Sequence, residues 1–202
     1  MTYEKLIIQT ATYLQIKLYF CVKYSIMKKY ITLLVCAFIF NSCDDGNISL
    51  DTFNFDPAAA INSCTPNNGL FFKVKNNEAL ILKTPITTFV NTVTPANTPR
   101  TVVINSSNQV IYRLFNSIIS NTYFCGTLPP ANPAVVDEWY ASDGIPGTSG
   151  LILVTTTQIR NPTTNALTGY NHYVIFKNIT FSNGVNTFTY ENYVYGNYVT
   201  TP

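Results

Sequence analysis

From residue 64 onward the chain is a series of short runs of β-branched and aromatic residues, broken by Asn, Gly, Pro and Ser. Such runs predict strands over residues 70–74, 79–83, 87–93, 101–104, 110–115, 122–125, 135–140, 151–159, 170–177 and 188–195. Between them, Asn76-Asn77, residues 105–108 and Ser182-Asn183-Gly184 supply turns, because Asn and Gly tolerate positive φ. Thr187, Thr189 and Glu191 alternate with Phe188, Tyr190 and Asn192, as one wet and one dry face require. Leu151-Ile152-Leu153-Val154 does not alternate and reads as a strand covered on both faces. One segment is ambiguous: Val110, Ile111, Leu114, Phe115, Ile118 and Ile119 fall at helical spacing, and Ser107 is placed to cap a helix over residues 108–120. The strand reading is preferred because Val110-Ile111-Tyr112 follows a turn after another β run. The pattern predicts one all-β domain, a single antiparallel β-sandwich, with an up-and-down barrel as the alternative.

Ahead of this region the pattern changes. Met27-Lys28-Lys29 is followed by an apolar run of 11 residues (30–40) and then Asn41-Ser42-Cys43. A basic start, a short apolar run and a small residue before a cut make a secretory signal; a membrane span needs roughly 20 residues. Residues 1–26, with Glu4, Lys5, Lys17 and Lys23 among apolar residues, fit no signal pattern. They read as an extension ahead of a start at Met27, or else as part of a long leader. The expected organisation is a signal peptide over 27–42, a tether over 43–63 with Pro57 and three alanines after it, and the β domain over 64–202; residues 46–62 read otherwise as a poorly fixed first strand.

Phe40-Asn41-Ser42-Cys43 resembles a lipobox, with a large apolar residue three places before a cysteine and a small one directly before it. Asp44-Asp45 after the cysteine resembles the surface-export signal of Bacteroidota lipoproteins, and a solvated tether is the other reading of that pair. The run Tyr123-Phe124-Cys125, Pro129-Pro130 and Glu138-Trp139 is also similar to small lipoproteins of that group. The resemblance implies that Cys43 is acylated and becomes the new amino terminus. It implies a protein of the cell envelope, anchored in the outer membrane through lipid and facing outward. Two or more acyl chains hold stably where one binds only marginally, so no spanning helix is needed. The resemblance carries an address and no reaction.

Charge becomes informative only after this cut. Residues 1–42 hold five of the 12 basic residues and one of the 10 acidic ones, so the mature chain carries 7 against 9, or −2. Its solubility rests on Thr and Asn, and a nucleic-acid partner, which needs clustered Lys and Arg, is not expected. Cys21 and Cys36 leave with the leader, which leaves Cys64 and Cys125. In an exported domain they most simply form one disulfide; two separately buried thiols are the alternative.

Candidates for chemistry are few. Asp137 and Glu138 are adjacent and point to opposite faces of a strand, so they cannot work as a pair across one substrate. Asp143-Gly144 reads as a turn, and His172, the chain's one histidine, has neither a nucleophile nor an orienting acid beside it in the sequence. No metal-ligand spacing, phosphate loop or Gly-x-Ser-x-Gly occurs, so no catalytic residue, metal or cofactor is expected. Trp139-Tyr140, beside a loop rich in proline and glycine, is the candidate binding surface for a glycan or a partner protein; its alternative use is to anchor the core. Tyr193, Tyr195 and Tyr198 offer a second aromatic strip with the same two uses. The expected function is a lipid-anchored, non-catalytic surface binding module. A structural or assembly subunit of an envelope complex and a carrier of a small apolar ligand are the alternatives.

Overall fold

The computed structural model of the chain describes residues 52–66, 69–126, 128 and 130–202. They form nine strands: β1 (Asn62–Ser63), β2 (Leu70–Lys75), β3 (Glu78–Lys83), β4 (Arg100–Val103), β5 (Gln109–Phe115), β6 (Val135–Ala141), β7 (Leu151–Arg160), β8 (Leu167–Ser182) and β9 (Thr187–Thr200). Every pairing is antiparallel. The order is β1-β2-β3-β5-β6-β8-β7-β4, with β9 on the remaining edge of β8. β8 is the hinge of this arrangement. One of its edges carries β9; the other carries β7 along residues 167–177 and then β6 at Phe181 and Ser182. A five-stranded half and a four-stranded half are thereby joined at one corner and fold over each other. The sheet is all-β and sandwich-like, and it does not close into the barrel that was the alternative.

The core lies between the halves. Phe71, Leu80, Leu82, Val110 and Trp139 meet Ile152, Val154, Val174, Phe176, Ile179, Phe181, Tyr193 and Tyr195. Period-two alternation places these side chains inward, with two local departures. Asn178, at φ 49°, interrupts β8, so that both Phe176 and Ile179 point inward. A register shift between Val174 and Ile175 leaves Tyr195 as an extra residue of β9, next to Gly196 at φ 125°. The shift resets the alternation, and Tyr195 and Tyr198 both pack into the same core. Tyr195 is fully buried, its hydroxyl donating to the carbonyls of Phe71 (2.7 Å) and Leu80 (3.1 Å).

A smaller core sits on the opposite face of β2, β3 and β5. Phe72, Ala79, Ile81, Ile111 and Phe115 are covered there by Ile119, Phe124 and Cys64. Cys64 and Cys125 are joined by a disulfide across 61 residues, which pins the covering loop at both ends. The segment predicted as a strand at 122–125 is instead a 3-10 turn, Asn121–Phe124, held against this face. The helix expected as a rival over 108–120 does not form. Gln109–Phe115 is paired on both edges, so its inward Val110 and outward Ile111 serve different cores. The run at 87–93 is likewise no strand. A 3-10 turn (Ile86–Thr88) leads into a loop whose Phe89 plugs the core while Val90 and Val93 stay exposed.

The expected tether boundary is corrected. Phe53, Phe55 and Ile61 are buried at 4%, 3% and 5% exposure, so residues 52–63 belong to the domain. Phe53 sits among the rings of Tyr112, Phe181, Phe188, Tyr190 and Tyr193 at 4.6–5.6 Å. The hydroxyl of Tyr190 donates to its carbonyl at 2.6 Å, and the amide of Phe55 donates to the Tyr193 hydroxyl at 3.1 Å. This strap also brings Ile61 N within 3.0 Å of Asn197 O on β9.

Candidate functional site

The sequence-predicted pair separates. Trp139 and Tyr140 are adjacent on β6 and therefore face opposite ways. Trp139 is 3% exposed, its indole N–H donates to Asp137 Oδ2 at 2.7 Å, and its ring lies 5.0 Å from Phe188. It anchors the core and cannot stack on a ligand, which corrects the expectation for that residue. Tyr140 is 46% exposed; its hydroxyl donates to Glu138 Oε2 at 2.6 Å, and Glu138 is ion-paired with Arg113 on β5. Asp137 and Glu138 thus face opposite sides, as expected. Tyr193, Tyr195 and Tyr198 pack into the main core and form no exposed strip.

His172 is fully buried within a chain of hydrogen bonds whose direction can be derived. The Arg100 guanidinium donates to Thr156 Oγ1, so that hydroxyl donates onward to His172 Nδ1 at 2.9 Å. The ring proton therefore sits on Nε2 and is donated to Thr200 Oγ1 at 3.0 Å, and Thr200 donates to Asn91 Oδ1. Arg100 also holds the carbonyls of Val90 and Thr92 at 3.1–3.2 Å, which clamps the 86–99 loop to the sheet. No carboxylate takes part among the described residues, and Asp143 is exposed in the loop before β7, outside this network. That loop is closed by the approach of Gly144 to Gly150: a Cβ on Gly144 would lie 2.4 Å from the Gly150 carbonyl oxygen.

Burial, with Arg100 adding to it, pushes the His172 imidazole down to about 4 from 6.5. Between those values the unfolded chain takes up a proton that the native fold refuses. The stability due to neutral His172 is therefore complete above pH 6.5 and lost as pH falls to 4, by about 3 kcal/mol. Urea midpoints across this window should drop accordingly, and in His172→Asn the slope against pH should flatten. Equal slopes in the two proteins would contradict the neutral assignment.

A feature not foreseen lies beneath the strap. Residues 54–57, Ala59, Ala60, Asn62, Asn121 and three residues of β2 border an open cleft of about 520 Å³. Lys73 occupies an inward position of β2 where alternation calls for an apolar side chain, and it is 2% exposed. Its ammonium donates to Asp56 O at 2.8 Å, and the Tyr195 ring centroid is 6.0 Å away. Burial lowers its pKa, and the nearby Asp56 opposes that shift. Lys75, two residues on and exposed, donates to Asn54 O at 3.0 Å. The one sequence signal for this site was a lysine at core parity within Leu70–Lys75.

Cys43 lies outside the described residues. Among those described, no group of three His, Cys, Asp or Glu could hold a metal, and no helix is long and apolar enough to cross a membrane. No protein-family model matches the chain, and no curated protein or solved structure matches it at a significant level.

Proposed function

We propose that the protein is a lipid-anchored module of the cell envelope, held in the outer membrane through Cys43 and serving to bind rather than to catalyse. The observation that carries this reading is a disulfide-bonded β domain directly behind a lipobox-type cysteine. Disulfides persist in oxidising compartments outside the cytoplasm, which is where cleavage before Cys43 would deliver the domain. Thr52 stands only nine positions after Cys43, a reach of about 30 Å at full extension, so the anchor would keep the domain near the membrane surface. The binding half of the reading is supported by the open cleft beneath the strap. It is supported also by the separation of His172 from any carboxylate or thiol among the described residues. Glycans and surface proteins are the partner classes; a nucleic acid is not, since the chain from Cys43 onward carries a net charge of −2.

An assembly role is the second reading, and β6 favours it. Val135 and Val136 are 40% and 58% exposed, and among the described residues the far edge of β6 is paired only at Tyr140 and Ala141. An open strand edge with exposed apolar residues is a template for another chain. The apolar-carrier reading loses its basis, because the sheet is not a barrel and its interior is filled by packed rings.

Cell fractionation tests the anchor. The wild-type protein should sediment with outer membranes and be cut by protease added to intact cells. Cys43→Ala should leave the membrane fraction. Unchanged membrane association of Cys43→Ala would count against the reading.

A further inference from the structure

We propose that the cleft beneath the strap binds an acidic saccharide, with Lys73 and Lys75 holding its carboxylate. This deepens the binding-module reading and rests on it.

Lys73 is a costly residue at its position on β2. A buried ammonium is expensive unless it is paired. Here one of three N–H donors is used by the Asp56 carbonyl and the Tyr195 ring faces the charge, yet no carboxylate of a described residue lies within ion-pair distance of Nζ. The fold nevertheless makes room for the group. A Cβ on Gly196 would stand 2.6 Å from Lys73 Nζ and 3.1 Å from the Pro57 carbonyl oxygen, and at φ 125° only glycine sits without strain. A seat is therefore built for a cation whose hydrogen bonding the described residues do not complete, and Lys73 borders the cleft.

The lining indicates what would complete it. Among the described lining residues, Lys73 and Lys75 against Asp56 give a net charge of +1, which a single carboxylate neutralises. Asp56 is turned toward its own turn, with Oδ1 accepting from Ala58 N at 2.9 Å. The remaining polar groups are neutral amides. Asn54 borders the cleft, and Asn121 donates to Asn62 Oδ1 at a long 3.3 Å, a contact that a hydroxyl can replace. About 520 Å³ lies within the range of small-ligand sites. One carboxylate on a body of hydroxyl groups is the chemistry of a uronic acid.

The test uses the full chain, purified in detergent and isotopically labelled, titrated with glucuronate and followed by amide NMR. Glucuronate at millimolar concentration should shift the amides of Asn54, Asn62 and Asn121 and leave those of β7 in place. Glucose should bind about tenfold or more weakly, as should the Lys73→Met variant, each having lost a charge-assisted contact. Lys75→Ala, a change at an exposed side chain, should weaken binding without touching the fold, and so keeps the test decisive if Lys73→Met does not fold. No shift with glucuronate, equal affinity for glucose or inorganic sulfate, or unchanged affinity in both lysine variants would overturn the proposal. Failure here with Cys43 still acylated removes the cleft alone; lost acylation with glucuronate still bound removes the anchor alone.

Discussion

Replacing Phe53 by alanine is expected to destabilise the domain by about 3–5 kcal/mol, the range for emptying a buried aromatic site. Phe53 is in ring contact with Phe55, Tyr112, Phe181, Phe188, Tyr190 and Tyr193, so it contacts rings from both halves of the folded sheet. All of these neighbours but Phe55 are strand residues fixed by pairing, and they can collapse only partly into the space left. The strap would be loosened as well, because the carbonyl that receives the Tyr190 hydroxyl belongs to the same residue. Phe53→Leu should cost less than half as much, since it keeps most of the volume. Urea midpoints of the full chain check both. A change within about 0.5 kcal/mol for Phe53→Ala, typical of exposed positions, would return residues 52–63 to the tether.

The second large effect belongs to the disulfide. Cys64 and Cys125 close a 61-residue loop, and in the chain-entropy model the link stabilises by about 4 kcal/mol. The smaller core adds a local reason. Ile119 and Phe124 cover Phe72, Ile81 and Phe115 only while the loop that carries them is held down at Cys125. Cys64→Ser with Cys125→Ser should lower the melting temperature by about 10 °C, given about 2–4 °C per kcal/mol for a domain of this size. Wild-type protein treated with reductant should melt with the double variant. A melting temperature unmoved by either treatment would show that the loop is held by packing alone.

What could be read in the sequence follows from where a residue's environment is set by its neighbours in the chain. Eight of the nine strands, β2 to β9, are legible, and β7 is read nearly to its full length because Leu151-Ile152-Leu153-Val154 continues into the β-branched run Thr155-Thr156-Thr157. β8 and β9 run longer than predicted, since Asn178 looks like a strand end and is instead a local reversal inside a hairpin paired past it. The strap carried its own signal: Phe53 and Phe55 alternate with Thr52, Asn54 and Asp56, a period of two hidden by the Pro and Ala that follow. Trp139 shows what a one-dimensional pattern can still decide. The rule that sends Asp137 and Glu138 to opposite faces also splits Trp139 from Tyr140, and only the register against β5 and β8 says which of them is inside. The cleft was beyond reach, because it needs Lys73 and the 54–60 strap in the same place, and that is a property of the closed fold.

The central claim is that this β domain is carried on a lipidated Cys43, and the intact mass of the protein purified from membranes tests it most directly. The expected product is a chain beginning at Cys43, heavier than its residues by at least two acyl chains and lighter by the two hydrogens of the Cys64–Cys125 bond. A mass that matches an uncleaved, unmodified chain would contradict it.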